Sequence, residues 1–189
     1  WYLGETLHSG IGQGYFLSTP LQLCLMTAQL ANGGFKLKPR IIVDDNKSNN
    51  NLIDYLNFKN QNPLDDTPID VLVNEFKLTP LFRNQENINF IKDAMFASTN
   101  EPGGTSYRSR LNDKKFRFAG KTGSSQIKRF TAAQREAEVK QKDIIYEDRD
   151  HALFIAFAPY DKPRYSISVL VEHGGSGSSA AAPIAKKVI

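Results

Sequence analysis

The sequence has one cysteine in 189 residues, Cys24. A lone thiol cannot close an intrachain disulfide, and it cannot build a structural zinc site. The chain therefore needs a packed core to hold it together, and its redox compartment stays open. Cys24 sits in an apolar helical pattern and is expected to be buried and inert. Long hydrophobic runs are missing too. No stretch reaches the roughly 18 apolar residues that cross a bilayer, and no signal peptide is visible. The first residue is not methionine. WYLGETLHSGIGQGY reads like mid-domain sequence, so the expectation is a piece of a longer protein. Large charge excess of either sign is absent: 24 basic against 20 acidic residues give a net charge of +4. The charges are interspersed, as on a solvated surface. With no recognised motif and no interleaving of aromatic and basic residues, nucleic acid is not expected as a partner. The three histidines, His8, His151 and His173, are scattered without ligand spacing, so no metal site and no cofactor are expected.

What is present is enough apolar sequence for one domain, 40% hydrophobic against 23% charged. Residues 1–18 are glycine-rich and read as turns. Next, TPLQLCLMTAQLANGG carries helix punctuation: Thr19 to cap, Pro20 at the first position, Gly33 or Gly34 to stop. Apolar residues sit on several sides of this helix, so it is expected to be covered on most of them. LKPRIIV (37–43) reads as a short strand. Residues 44–66, rich in Asn and Asp, read as a surface insertion. A helical turn fits 69–74. NINFIKDAMFAST (87–99) repeats Ile88, Ile91 and Met95 on one helical face and stops at Pro102, Gly103 and Gly104.

Three strand-like runs follow: KFRFAGKTGSSQI (115–127), HALFIAFAP (151–159) and RYSISVLVEH (164–173). PYDKP (159–163) has the length of a hairpin loop. A charged insertion, 128–150, separates the first two runs, and its AAQREAEVKQK part favours helix. SSAAAPIAKKVI closes the chain as a helix. No internal repeat is found. The fold class is α+β: an antiparallel sheet of at least three strands covered by helices.

The chemistry concentrates at AGKTGSSQ. Gly120-Lys121-Thr122 ends like a phosphate-binding loop, but that loop needs a glycine at position 115, which is Lys115. As a strand beside a cleft the stretch makes better sense. Lys121 offers a cation to a carboxylate. Strand alternation puts the Thr122 and Ser124 hydroxyls on one face. Gly123 leaves the backbone bare for a ligand. The Ser124 amide could point at a developing oxyanion. Alternation also puts Lys121 on the face opposite Thr122, so its reach must bring the ammonium round. An exposed edge strand with a protective lysine is the structural alternative.

In its context, AGKTGSSQ after the glycine-threonine turn GGTS (103–106) resembles the third motif of the penicillin-binding transpeptidases. The segment GETLHSGIGQGYFLSTPLQLCLMTAQLANGG (4–34), with GQG, TPLQL and ANGG, resembles a segment of the same family. DHALFIAFAPYDKPRYSISVLVEHGG (150–175) resembles its last two strands. The likeness is to class B enzymes of the cell-elongation type and to the C-terminal part of their transpeptidase domain, across 1–189. It implies a β-lactamase/transpeptidase-like fold and a serine acyl-enzyme mechanism that cross-links peptidoglycan stem peptides, with β-lactams as mimics. By motif position it implies Lys121 and Ser124 as catalytic residues: Lys121 in the polar cluster around the nucleophile, the Ser124 amide as half of the oxyanion hole. Thr122, Gly123, Ser124 and Ser125 would line the substrate, Thr122 and Ser124 on its carboxylate. It also implies a periplasmic location at the inner membrane through an anchor outside this chain, and a membrane glycosyltransferase as partner.

The family's Ser-x-x-Lys nucleophile motif has only one match, Ser125-Gln126-Ile127-Lys128. It overlaps the KTG strand, whereas the family's serine begins a helix far upstream, so Ser125 is not read as the nucleophile. Ser48-Asn49-Asn50 and Ser98-Thr99-Asn100 match Ser-x-Asn but follow the GQG segment, and both are rejected. These 189 residues alone are expected to be inert and to need the missing N-terminal part. The alternatives are a penicillin-sensing module and a non-catalytic interaction module of the same fold. Gln13, within GIGQG, is a weaker candidate for the cleft.

Overall fold

The computed structural model describes residues 1–12, 14–41, 50–62, 64–128, 136–137, 140 and 143–189. Its centre is a three-stranded antiparallel sheet, β1 (Ala119–Ser125), β2 (His151–Ala158) and β3 (Tyr165–Val171), in the order β1-β2-β3. The register pairs Lys121 with Ile155 and Thr122 with Phe154, and Phe154 in turn with Val169. The central strand is the most apolar, HALFIAFA, because both of its faces are covered. Ala152, Phe154 and Ala156 are buried on one face, with Phe118 and Val169, against Ala181, Ala182 and Ala185. Those alanines come from a π-helical turn, Gly177–Ala181, and the C-terminal helix α6 (Ala182–Val188). The small side chains let the helix sit close to the sheet. Gly177 is the extreme case, since a Cβ there would lie 2.3 Å from the Leu153 carbonyl oxygen.

The opposite face carries Ala119 and Phe157. Leu30 and Ala31 from α2 (Pro20–Ala31) and Ile88 and Met95 from α5 (Gln85–Asn100) close over them. The start of α2 is as expected. Thr19 accepts from the Gln22 amide, the Gln22 side chain accepts from the Thr19 amide, and Pro20 needs no partner. Its cover begins after the first turn: Leu21 is 66% exposed and Met26 41%, while residues 23–25 and 27–31 are buried or half-buried, so α2 is covered on most sides beyond its start, as expected. Cys24 is half-buried and its sulfur lies 3.2 Å from the Ser166 hydroxyl.

A smaller lobe is built from α3 (Asn50–Gln61) and α4 (Ile69–Glu75). Within the Asn-rich stretch, Leu52 and Tyr55 of α3 are buried with Phe35 and Leu72. The Phe35 and Tyr55 rings meet edge-on at 5.1 Å. The strand expected over 37–43 does not form across its described part, 37–41. Phe35 instead makes an isolated bridge to Pro80. The Leu37 amide donates to the Gln29 side chain at 3.1 Å instead of to a strand, and Pro39 has no N–H to resume a ladder. Residues 3–10, expected as turns, form helix α1 (Leu3–Gly10), which buries none of its residues. Most of AAQREAEVKQK, Gln13 and Ser48-Asn49 lie outside the described residues.

Candidate active-site strand

β1 is an edge strand whose exposure changes along its length. Ala119 and Gly120 are buried, Thr122 and Gly123 half-buried, and Lys121, Ser124 and Ser125 exposed. The strand is thus fixed at its first end and open to solvent from Lys121 onward. The fixing has identifiable causes. A Cβ on Gly120 would lie 2.3 Å from the Phe154 ring, so only glycine lets that ring close under the strand. Asn100, at the end of α5, donates to the Phe118 carbonyl at 2.9 Å. The Thr99 hydroxyl reaches the Gly120 carbonyl at 3.5 Å and the Ser106 hydroxyl at 3.2 Å. Ser106 donates onward to the Ser98 carbonyl at 3.1 Å.

The rejected match Ser98-Thr99-Asn100 is therefore structural, because two of its side chains stitch α5 to β1. Its serine faces outward. The Ser98 hydroxyl lies 3.1 Å from that of Thr105, which accepts from the Thr122 hydroxyl at 3.2 Å. This row of three hydroxyls ends on the strand's Lys-Thr-Gly. Thr105 belongs to it although only the GGTS turn marked the place in the sequence. Gly104 makes that turn tight, because a Cβ on it would lie 2.3 Å from the Ser98 carbonyl oxygen.

Alternation sets Lys121 and Thr122 on opposite faces of the strand, and the Lys121 Nζ donates to the Thr122 carbonyl at 2.7 Å, so the ammonium lies within hydrogen-bond reach of the next residue's backbone. Gly123 is uncrowded: the nearest neighbour of an added Cβ is the Leu153 Cβ at 3.4 Å.

Ser125 and Lys128 do not form a catalytic pair here. Ser125 ends the strand, and the Lys128 ammonium is taken by the Asp148 carboxylate. His151 and His173, far apart in sequence, meet in space. The His173 amide donates to His151 Nδ1 at 3.0 Å and the rings lie 5.0 Å apart. Among the described residues no three His, Cys, Asp or Glu side chains gather as metal ligands. No helix among them is long and apolar enough to cross a membrane.

Relatives named peptidoglycan D,D-transpeptidase MrdA are 30% identical over 189 residues in Salmonella typhimurium and 33% in Haemophilus influenzae. The alignments cover 100% of this chain but 27% and 26% of those proteins, so the chain spans about a quarter of their length. Among solved structures, PBP2 of Helicobacter pylori in complex with MreC superposes with a TM-score of 0.67 at 28% identity. It covers 99% of this chain and 27% of that one. PBP2 of Pseudomonas aeruginosa in complex with WCK 5153 gives 0.65 at 31% identity, covering 100% and 33%. The sequence matches the penicillin binding protein transpeptidase domain over residues 1–189, from the exposed helix α1 through the KTG strand to the last helix, and the chain belongs to that family.

Proposed function

We propose that this chain is the C-terminal part of a peptidoglycan D,D-transpeptidase of the cell-elongation type. It supplies the wall that holds the acyl donor's terminal carboxylate. The observation that carries this is the exposed stretch of β1, where an ammonium, two hydroxyls and an uncrowded glycine follow one another within four residues.

In this reading a serine outside residues 1–189 attacks the carbonyl carbon of the D-Ala-D-Ala amide. Its proton passes to a neighbouring base, the C–N bond breaks, and terminal D-alanine leaves with a proton on its amine. An amine of a second stem peptide then attacks the ester, restores the serine and forms the cross-link. β-Lactams enter by the same first step. Lys121 contributes positive charge close to the reacting serine. Thr122 and Ser124 donate hydroxyl hydrogen bonds to the carboxylate, Gly123 lets the donor lie against the backbone, and Ser125 extends that wall. The Ser124 amide stabilises the developing oxyanion, a contribution typically on the order of a hundred- to a thousand-fold in rate.

The N-terminal surface supports the same division. Trp1, Tyr2, Leu3, Leu7 and Leu17 are each more than 70% exposed. An apolar patch of this kind calls for a cover, and the remainder of the transpeptidase domain is the cover proposed. The whole protein is placed at the periplasmic face of the inner membrane, with stem peptides as substrates and a membrane glycosyltransferase as working partner.

Fluorescent penicillin tests the assignment. The full chain of 189 residues should take no covalent label. The longer protein should label once, on a serine outside this chain. Stoichiometric labelling of Ser125 would overturn the proposal.

A further inference from the structure

A second groove lies at the other end of the sheet, beside the β2–β3 hairpin and away from Ser124. It has a volume of about 800 Å³ and runs between the end of α2, α3, the first half of α5 and residues 161–164. Four cations line it, Lys59, Lys92, Lys162 and Arg164, against one carboxylate, Asp161. Lys59 is already engaged, 3.6 Å from Asp65. Lys92, Lys162 and Arg164 have no ion pair and no side-chain hydrogen bond among the described residues. Lys92 is half-buried, and its burial pulls the ammonium below the ordinary lysine range, against the opposing pull of Asp93. A partly desolvated ammonium without a partner gains most from an incoming anion.

The groove is more than a basic patch. Side-chain amides of Asn57, Gln61, Gln85 and Asn89 line it together with the cations. An amide both donates and accepts, which is what an extended peptide backbone requires. An apolar hollow of about 270 Å³ opens beside it and shares Ala31, Asn32, Leu56, Pro163 and Arg164 with it. Ala28, Leu37, Leu52, Tyr165 and Ser166 complete the hollow's walls, which leave room for a leucine-sized side chain. Inorganic phosphate has no use for the hollow, and an aliphatic ligand has none for the cations.

We propose that this composite groove docks an acidic peptide segment of a partner protein. One apolar side chain of that segment enters the hollow beside Arg164, and its carboxylates face Lys92, Lys162 and Arg164. The site is separate from β1 and does not depend on the reaction proposed there.

Fluorescence anisotropy on the full chain tests this with a short labelled peptide of glutamates flanking one leucine. A second peptide carries serine in place of the leucine. The leucine peptide should bind, more weakly as salt rises. The serine peptide should bind about tenfold more weakly, as loss of a buried leucine side chain predicts. Lys92→Gln and Arg164→Gln should each weaken the leucine peptide about tenfold, the usual effect of one charge-assisted hydrogen bond. Lys162→Gln, on the exposed hairpin, checks the charge effect at a position where folding is not in question. Three results would overturn the proposal. Equal binding of both peptides, with displacement by tripolyphosphate, would make the groove a simple anion site. Unchanged affinity in all three variants would place binding elsewhere. Self-association abolished by these variants, with no peptide bound, would make a second copy of the chain the occupant.

Discussion

The Thr122 hydroxyl donates to Thr105 at 3.2 Å, so the turn after α5 is tied to the middle of the KTG strand. Through Ser98 the tie continues onto the end of α5 itself. The Thr122 hydroxyl has one proton, so when it donates to the proposed carboxylate it gives up Thr105 as acceptor and can accept from the Thr105 hydroxyl instead. Thr105→Val keeps the shape and removes that partner. The acylation rate of the longer protein with fluorescent penicillin should fall about fivefold, corresponding to about 1 kcal/mol for one hydrogen bond. The melting temperature should barely move, because both side chains are near solvent. An unchanged acylation rate would detach Thr105 from the site.

Two glycines of β1 should separate folding from function. Gly120→Ala drives a methyl group into the Phe154 ring and towards the Ile155 carbonyl, 2.9 Å from the added carbon. Overpacking of this kind costs about 1–3 kcal/mol, visible as a lower denaturant midpoint. Gly123→Ala meets only ordinary contact at 3.4 Å and should fold as well as the parent. Its methyl group would still stand where the donor is proposed to lie, so penicillin acylation should drop about tenfold or more, equivalent to at least about 1.4 kcal/mol. Normal acylation in Gly123→Ala would mean the ligand does not approach that backbone.

The end of α5 carries a purely structural prediction. Thr99 is fully buried and serves both Ser106 and the Gly120 carbonyl. Thr99→Val leaves those partners with fewer hydrogen bonds in a dry place and should cost about 1–3 kcal/mol. Chemical denaturation of the purified chain measures it.

Alkaline pH should expose the contact between Tyr160 and Asp93. Burial, then the hydrogen bond and negative charge of Asp93, push the Tyr160 phenol from 10.0 up to about 12. The neutral phenol is favoured in the folded state. Its contribution is complete below pH 10 and is lost as the pH rises from 10 through about 12. Denaturation midpoints across that window should fall more steeply for the parent than for Tyr160→Phe. Parallel curves would show that the contact does not hold in solution.

The strands were legible because alternation and loop chemistry agreed. HALFIAFA, PYDKP and YSISV mark a hairpin by their residues alone, and it forms where they place it. Helix α2 was equally plain, since Thr19, Pro20 and Gln22 write its start. The failures have physical reasons. Helix α1 contains Gly4 and Gly10, which lower its propensity, and its one periodic pair, Leu3 and Leu7, is too short a pattern to stand out among the glycines. Helix α3 was hidden by its asparagines, while Leu52 and Tyr55, one helical turn apart, supplied the buried face. At the candidate site, Lys121 and Thr122 could be read from the motif. Thr105 could not, because its partnership with Thr122 spans 17 residues and depends on how α5 ends. The meeting of His151 with His173 is likewise set by the antiparallel register rather than by local pattern.

The Lys121 ammonium, resting on the Thr122 carbonyl at 2.7 Å, is the charge that the acyl donor is proposed to meet. The deciding measurement is the second-order rate of penicillin acylation of the longer protein, parent against Lys121→Ala, with folding checked by circular dichroism. The rate should fall on the order of a hundredfold or more in a folded variant, the scale of one preorganised electrostatic contact. A folded Lys121→Ala protein acylated at the parental rate would show that the strand's cation has no part in the reaction.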